Sequence, residues 1–473
     1  MIHAPIILKD ISVVFPGKIC FEKVNKTIHP GDRIAIIGKN GNGKTALLNI
    51  IQGLLEPSQG RVIIPENVVF GYVPQVIEDH AHLSGGQRLN KALTQALAQN
   101  PSVLCLDEPT NHLDASNRKS LLRLLKNYTG TLIIISHDIE LLRTYVDHIW
   151  HIHDGTIDFF TGNYDDYRAH EKAEHLAKIK QREFLKKEDR KNREALLAEH
   201  KRAAQSKRTN KNENDKILLR AMQESGARTT NKKQGKINKV HHKIEAELKE
   251  FRLPETITAK FNLPACTAHQ QTLITIREGN CGYQKPVLEN IILHVMSTER
   301  IALLGNNASG KSTLVKAIMH HRSVIREGAW QVPAQKDIGY LDQHNKNLDE
   351  NTSVFDTIKE AAPTWTSPEI RKHLNDFLFR KNEEVEKLVK YLSGGEKTRL
   401  SLAQIAAQSP QLLILDEVTN CLDLETRQHV IDVLQCYPGA LIVISHDADF
   451  LTAIGIDNFY KIKNGIMVRD NLK

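Results

Sequence analysis

Short apolar runs rich in β-branched residues punctuate this chain, and several of them stop at a glycine, an acid or a histidine. Ile6 to Val14 (IILKDISVV) reads as a strand, and Arg33 to Gly38 (RIAIIG) as a second that runs straight into a glycine-rich loop. Ala46 to Leu55 (ALLNIIQGLL), just past that loop, has helical composition. Further on, VVFGYVPQ ends at Gln75, Val103 to Leu106 ends in the acids Asp107 and Glu108, and TLIIISHD carries His137 near its end. Short apolar runs bounded by turn formers mark strands, and strands alternating with helices mark an α/β fold.

The series occurs twice. GKNGNGKT starts at Gly38 and GNNASGKS at Gly305, an offset of 267, and Gln75 recurs as Gln343 at 268. Ser84, Asp107, Glu108 and His137 recur as Ser393, Asp416, Glu417 and His446, all at 309. The chain is therefore an internal duplication with one jump of 41 residues, between the glutamine and the serine. In the first copy only seven residues separate Gln75 from Leu83, too few to build a helical subdomain. In the second copy the gap runs from about His344 to Tyr391 and contains the helix-like stretches TSVFDTIKEAA and PEIRKHLNDFLF.

Each octet fits G-x-x-x-x-G-K-[ST]. Glycines let such a loop curl until its N–H groups face a polyphosphate, and the following helix turns its positive end toward the same anion. Gly38, Lys39, Asn40, Gly41, Asn42 and Gly43 form the first cradle, and Gly305, Asn306, Asn307, Ala308, Ser309 and Gly310 the second. Lys44 and Lys311 are placed to reach the β- and γ-phosphates, and the hydroxyls of Thr45 and Ser312 to hold Mg²⁺. Gln75 and Gln343 are candidate amide ligands for Mg²⁺ or the attacking water. Ser84, Gly85 and Gly86 make a further nest of donors at a helix start, as do Ser393, Gly394 and Gly395. Asp107 and Asp416 are placed to hold Mg²⁺ through water, and Glu108 and Glu417 to polarise the attacking water. General-base assistance of that kind is typically worth about 10² to 10⁴ in rate. His137 and His446 are placed to contact the γ-phosphate, while Phe15 either stacks on a nucleotide base or packs in the sheet. Singly, each motif has a plainer reading: acid pairs cap helices, a lone histidine is structural, and SGG is a common turn. Their order and spacing argue for a site.

Composition is that of a globular protein, with 40% apolar and 25% charged residues. No window approaches the ~20 apolar residues of a membrane span, and the first residues (MIHAPIILKDIS) lack a signal-peptide core. A cytoplasmic location is expected. The six cysteines show no C-x-x-C pair or metal-ligand spacing. The net charge of +8 is not spread evenly: residues 165–250 hold 24 Lys+Arg against 15 Asp+Glu, and 201–243 hold 13 against 3. Ile237, Val240, Ile244, Leu248 and Phe251 recur at helical steps, and a less regular set (Leu176, Ile179, Phe184, Leu196, Leu197) precedes them. Two antiparallel helices with a tip near 205–235 are expected. A charged run is ordinarily a solvated helix face, but a face of mixed sign pairs its charges. An excess of one sign repels itself unless an anion neutralises it, and RNA is a suitable anion. The apolar island Ile217-Leu218-Leu219 with Met222 either packs locally or touches a base or pocket.

Phosphate loop, glutamine, LSGGQ or LSGGE, LDEPTNHLD and SHD together closely resemble the ATP-binding cassette ATPases. Tandem cassettes, a charged linker and GNYDDY at Gly162 to Tyr167 resemble the ABC-F subfamily. The resemblance implies an α/β fold with two tandem ATP-binding cassette (P-loop NTPase) domains, residues 1–163 and 256–473, joined by a basic α-helical hairpin linker, 164–255. The first cassette would lack most of its helical subdomain. Two cassettes of one chain would close head to tail around two ATPs, each phosphate loop facing the other cassette's SGG, so the protein would act as a monomer with ATP and Mg²⁺. Phe15 and Tyr283 match the adenine-stacking aromatic. The family further implies ATP hydrolysis and binding to the ribosome at the tRNA exit site. Contacts to ribosomal RNA and to exit- or peptidyl-site tRNA would carry the linker toward the peptidyl-transferase centre. The short first cassette resembles antibiotic-resistance members; a housekeeping factor for stalled or idle ribosomes is the alternative. A transporter ATPase subunit and a DNA-repair ATPase share the motifs. Three departures stand out: Ala308 where the first loop has Gly41, LDEVTNCLD in place of LDEPTNHLD, and the missing helical segment.

Overall fold

The computed structural model describes residues 4–15, 18–75, 85–110, 113, 115–208, 261, 271–342 and 347–470. Met1–Tyr164 and Thr256–Lys473 form one compact unit, and Asp165–Glu255 a second.

In the first half, β1 (Ile6–Phe15) lies antiparallel between β2 (Lys18–Ile28) and the later β4 (Gln59–Ile63). Between them come β3 (Arg33–Gly38) and α1 (Lys44–Ile51). The helix stops short of the expected Leu55: Gly53 turns left-handed (φ 74°), and Leu54 and Leu55 are left exposed. Next follow β5 (Phe70–Val73), α2 (Gly85–Ala98), β6 (Val103–Asp107), α3 (Ala115–Asn127), β7 (Thr131–Ile135), α4 (Ile139–Thr144), β8 (His148–His153) and β9 (Thr156–Thr161). The main sheet has the order β5-β6-β7-β3-β8-β9, parallel except for β9. Every residue of β6 and β7 is buried, as the continuous apolar runs require of strands covered on both faces.

The second half repeats this plan. β10 (Thr272–Gly282), β11 (Pro286–Met296), β12 (Arg300–Leu304), α6 (Lys311–Ile318), β13 (Ile325–Gln331) and β14 (Ile338–Asp342) come first. After the helices described next come β15 (Leu412–Asp416), β16 (Ala440–Ile444), β17 (Asn458–Lys463) and β18 (Ile466–Asp470). The small sheet is β11-β10-β13 and the main sheet β14-β15-β16-β12-β17-β18, the same order strand for strand. In parallel neighbours all C-terminal ends lie on one edge, where ligands bind in open α/β sheets. The phosphate loops leave β3 and β12, the acid pairs β6 and β15, and the histidine loops β7 and β16. Sheet order thus lines up segments far apart in sequence.

The inserted segment of the second half is helical, as expected. It contains α7 (Val354–Ala361), α8 (Ser367–Asp376) and α9 (Asn382–Glu386), followed by α10 (Gly394–Gln408). Ser353 caps α7 by accepting from the Asp356 N–H (3.0 Å), and Glu369 reaches back to the Thr366 N–H (2.8 Å) at α8. Val354, Ile358, Ile370, Leu374 and Phe377 are buried in one core with Leu402 and Ile405 of α10. In the first half, residues 76–84 lie outside the described residues. Among the described residues no helix is long and apolar enough to cross a membrane.

The unit Asp165–Glu255 is described along α5 (Tyr164–Arg208), 45 residues long. Ion pairs one turn apart brace it, Lys178–Glu174 at 2.7 Å and Arg193–Asp189 at 2.9 Å. Its apolar stripe differs from expectation: Leu176, Phe184 and Leu197 are exposed, whereas Leu185 is buried. The 3.6-residue period aligns Ile179, Arg182, Leu185 and Asp189 as the covered line. The expected tip, the apolar island and the second arm lie outside the described residues.

Phe377 is fully buried at the centre of the inserted helices. Phe377→Ala is expected to destabilise the second half by about 3–5 kcal/mol, read as a lowered urea midpoint in equilibrium unfolding.

Candidate functional site

The two phosphate loops have matching backbones. Gly41 and Gly43 hold φ 78° and 88°, and Ala308 and Gly310 hold 62° and 104°. Ala308 therefore keeps the left-handed conformation of Gly41, at a cost of roughly 1–2 kcal/mol for a residue with a Cβ. Gly43 and Gly310 are the N-caps of α1 and α6, and neither helix has a side-chain cap. The first N–H groups of both helices are thus left for an anion. Lys44 and Lys311 are buried. Lys44 Nζ donates to the carbonyls of Gly38 (2.7 Å) and Lys39 (3.2 Å) and to Asn40 Oδ1 (3.1 Å). Lys311 Nζ donates to the carbonyls of Gly305 (2.6 Å) and Asn306 (2.9 Å). In the second loop the buried Ser309 hydroxyl has no hydrogen-bond partner.

The acids meet these lysines from the neighbouring strands. Thr45 Oγ1 donates to Asp107 Oδ2 (2.8 Å), and Ser312 makes the same bond to Asp416, which also accepts from the Tyr340 hydroxyl (3.2 Å). Glu108 and Glu417 both sit at positive φ, 48° and 50°. Each N–H is tied to the strand beside it, Glu108 to the Ile135 carbonyl (2.8 Å) and Glu417 to that of Ile444 (3.0 Å). Two strained carboxylates at equivalent positions mark the end of each acid strand as a place where geometry overrides local preference. His137 Nε2 lies 3.1 Å from Glu108 Oε1 but lacks the alignment of a hydrogen bond, and neither ring nitrogen has a hydrogen-bond partner although both nitrogens are buried.

Burial sets the electrostatics. It pushes the Glu108 carboxyl up to about 8, against the opposing pull of the Lys44 charge. Burial also raises Asp107 and Asp416, with the Thr45 and Ser312 hydroxyls acting the other way. Lys44 is lowered by burial, and His137 is driven down to about 3 by burial and by Lys44. Two carboxyls, a lysine and an unpartnered imidazole are thus packed together with too little charge compensation. A polyphosphate with a hard divalent cation supplies what is missing: acceptors for the loop and positive charge for the acids. A hydroxyl beside a carboxylate is a donor set suited to Mg²⁺.

The second half also reaches the first loop. The helix after its acid pair is α11 (Leu424–Cys436), capped by Asp423. Asp423 Oδ2 accepts from the Asn40 N–H (3.3 Å), and Glu425 pairs with Lys39 at 3.0 Å. Ser393 caps α10, its hydroxyl accepting from the Glu396 N–H (3.3 Å). A Cβ placed on Gly395 would stand 3.7 Å from Asp423 Oδ2, so the SGG turn adjoins the residue that touches the first loop.

The remaining expected residues fall as follows. Gln75 is exposed at the end of β5. Phe15 and Tyr283 are 46% and 42% exposed at strand ends, so neither is packed into a core, and Tyr283 lines a small open cavity of about 60 Å³ with Lys285 and Pro286. Gly85 and Gly86 open α2. Ser84 and Gln343 lie outside the described residues. Sequence reasoning missed Lys18, whose ammonium donates to the Gly41 carbonyl (2.9 Å) and Asn42 Oδ1 (3.2 Å). It also missed Asp423 and Glu425, and Arg118 and Arg427, which grip the acids of the SHD segments. The offset of 309 relates Arg118 to Arg427, so the duplication itself held a signal for that pair.

A family described as ABC transporter matches residues 21–78 and 288–420, and one described as an AAA domain matches 81–143. The ribosome protection protein VmlR of Bacillus subtilis is 28% identical, over 97% of this chain and 87% of its own length. The ATP-binding protein Uup of Buchnera aphidicola is 27% identical, over 97% of this chain and 81% of its own.

The Lys39–Glu425 pair is about half exposed, so it is worth ~1 kcal/mol or less and is screened by salt. Glu425→Lys puts an ammonium where a carboxylate stood beside the first loop and is expected to lower the nucleotide concentration that half-saturates that loop by about two- to fivefold at low salt. Titration of a Lys311→Met background at two salt concentrations checks this: the effect should fade at high salt.

Proposed function

Because this chain belongs to the ABC-F group of ATP-binding cassette ATPases, we propose that it is a translation factor that binds the ribosome and protects it from antibiotics. It hydrolyses ATP. The observation that carries the ribosome reading is the location of charge: residues 201–243 hold 13 basic and 3 acidic residues, and such a segment calls for a polyanion. A relative whose name is ribosome protection protein supports it, as does the short path from Gln75 to Leu83, a first cassette without room for inserted helices.

In this reading residues 1–163 and 256–473 are the cassettes and 164–255 the linker. Lys44 and Lys311 turn from their own loop carbonyls to the β- and γ-phosphates, with the N–H groups of α1 and α6 behind them. Thr45 and Asp107 would hold Mg²⁺ at the first site with Gln75, as would Ser312, Asp416 and Gln343 at the second. The cation, when bound, neutralises charge on the phosphates. Glu108 and Glu417 orient and polarise the attacking water, and His137 and His446 contact the γ-phosphate. Phe15 and Tyr283 stack on adenine. Each phosphate loop is completed by the other cassette's SGG segment, so bound ATP clamps the halves and hydrolysis frees them. The clamped chain enters the tRNA exit site, with its linker on ribosomal RNA and tRNA and its tip toward the peptidyl-transferase centre. One chain supplies both cassettes, so it acts as a monomer in the cytoplasm.

The doubly substituted chain Glu108→Gln, Glu417→Gln should keep ATP binding and lose turnover. Sedimented with ribosomes through sucrose, it should travel with them when ATP is present and far less without it, and the bound fraction should fall as salt rises. Absence from the ribosomal fractions at every salt concentration, with ATP bound, would overturn the reading.

A further inference from the structure

Arg118 and Arg427 stand outside the roles assigned so far. Each lies on the helix that follows its acid pair, α3 and α11, and each forks onto the acid next to a candidate γ-phosphate histidine. Arg118 donates from Nε to Asp138 Oδ2 (2.7 Å) and from Nη2 to Asp138 Oδ1 (2.6 Å). Arg427 does the same to Asp447, from Nε to Oδ2 (3.2 Å) and from Nη2 to Oδ1 (3.1 Å). Bidentate forks of this kind fix orientation as well as distance.

The gripped acids are themselves structural hubs. Asp138 caps α4 by accepting from the Leu141 N–H (3.2 Å), and its own N–H donates to Ser136 Oγ (3.1 Å). Asp447 caps α12 (Ala448–Ala453) through the Phe450 N–H (2.8 Å), and its N–H donates to Ser445 Oγ (3.1 Å). His137 and His446 are the residues between that serine and that acid. The fork therefore joins the element after the acid pair to the turn that aims the histidine. Arg118 Nη1 also meets Glu140 Oε2 at 2.6 Å. In each pair one partner is buried, Asp138 and Arg427 at 9% exposure, and the other is partly open, Arg118 at 24% and Asp447 at 30%, so solvent screens the forks only in part. The same arrangement is kept in both copies of the duplication.

We infer that Arg118 and Arg427 are positioning residues for ATP hydrolysis, each holding the histidine-bearing turn of its cassette in register with the acid pair. The inference rests on the assignment of Glu108, Glu417, His137 and His446 above. Both guanidiniums donate to carboxylates of the histidine-bearing turns, so on this inference loss of the fork misplaces the imidazole without removing a phosphate contact. Misplacement of a reacting group by about 1 Å can cost up to ~10²-fold in rate. Turnover should fall while nucleotide affinity holds.

The test uses the full chain with one acid removed at a time. Glu417→Gln leaves only the Glu108 site turning over, and Glu108→Gln only the Glu417 site. If the chain with both substitutions still hydrolyses ATP at the unsubstituted rate, the underlying assignment fails, whatever the arginines do. Given single-site turnover, Arg118→Gln in the Glu417→Gln chain should lower kcat about tenfold with KM within about twofold. Arg427→Gln should act likewise in the Glu108→Gln chain. Arg118→Lys keeps the charge but not the fork, and should remain as slow as Arg118→Gln. An unchanged kcat, a loss confined to KM, or full rescue by lysine overturns the inference. Should Arg118→Gln fail to fold, as read by thermal unfolding, Arg118→Lys alone decides: a wild-type kcat overturns the inference and a tenfold loss supports it.

Discussion

Lys44 and Lys311 are buried cations that donate to their own loops, to backbone carbonyls and, for Lys44, to the Asn40 amide oxygen. A buried ammonium is costly without strong acceptors. Here it sits at the mouth of a helix that has no side-chain cap, beside acids that burial pushes toward their protonated forms. The rest of the site depends on this one uncompensated cluster. Sheet order gathers it, the left-handed turns shape it, and a polyphosphate with its cation relieves it. Strain at Glu108 and Glu417 and the unpartnered imidazole of His137 belong to the same pattern of groups held ready for something to bind.

Duplication gives the protein two such clusters, and they have diverged. Lys39 meets Glu425 across the halves, whereas the equivalent positions in the other pairing carry Asn306 and Ser116, which cannot form an ion pair. Ala308 holds a conformation that Gly41 adopts freely. Val418, in place of a proline, is buried at the start of a short 3₁₀ turn, Val418–Cys421. None of these changes removes a group with a proposed chemical role. They alter how firmly each loop is held, which is where two sites of one chain can differ in turnover while sharing a mechanism.

Much of this was legible in the sequence because it is local. A G-x-x-x-x-G-K-[ST] loop between a strand and a helix needs only its neighbours to form, and apolar runs such as VLCL and TLIII announce strands covered on both faces. What stayed hidden is long-range. Lys18 reaches a loop more than twenty residues on, Asp423 meets Asn40 across most of the chain, and Arg118 finds Asp138 through the packing of two helices. No local periodicity encodes such pairs. In α5 a polar, charge-rich helix offers few apolar residues to set the phase, so Leu176 and Phe184 marked the wrong line and Leu185 the right one. The end of α1 was set by a glycine turn rather than by its apolar pattern, which continues through Leu54 and Leu55.

The central claim is that both phosphate loops are working halves of nucleotide sites in one chain. The most direct measurement is the number of ATP molecules bound per chain at saturation, by equilibrium dialysis of the Glu108→Gln, Glu417→Gln protein. Two per chain are predicted, falling to one when either Lys44 or Lys311 is also replaced by methionine. A single bound ATP in the parent protein, or two that survive either lysine substitution, would contradict the account.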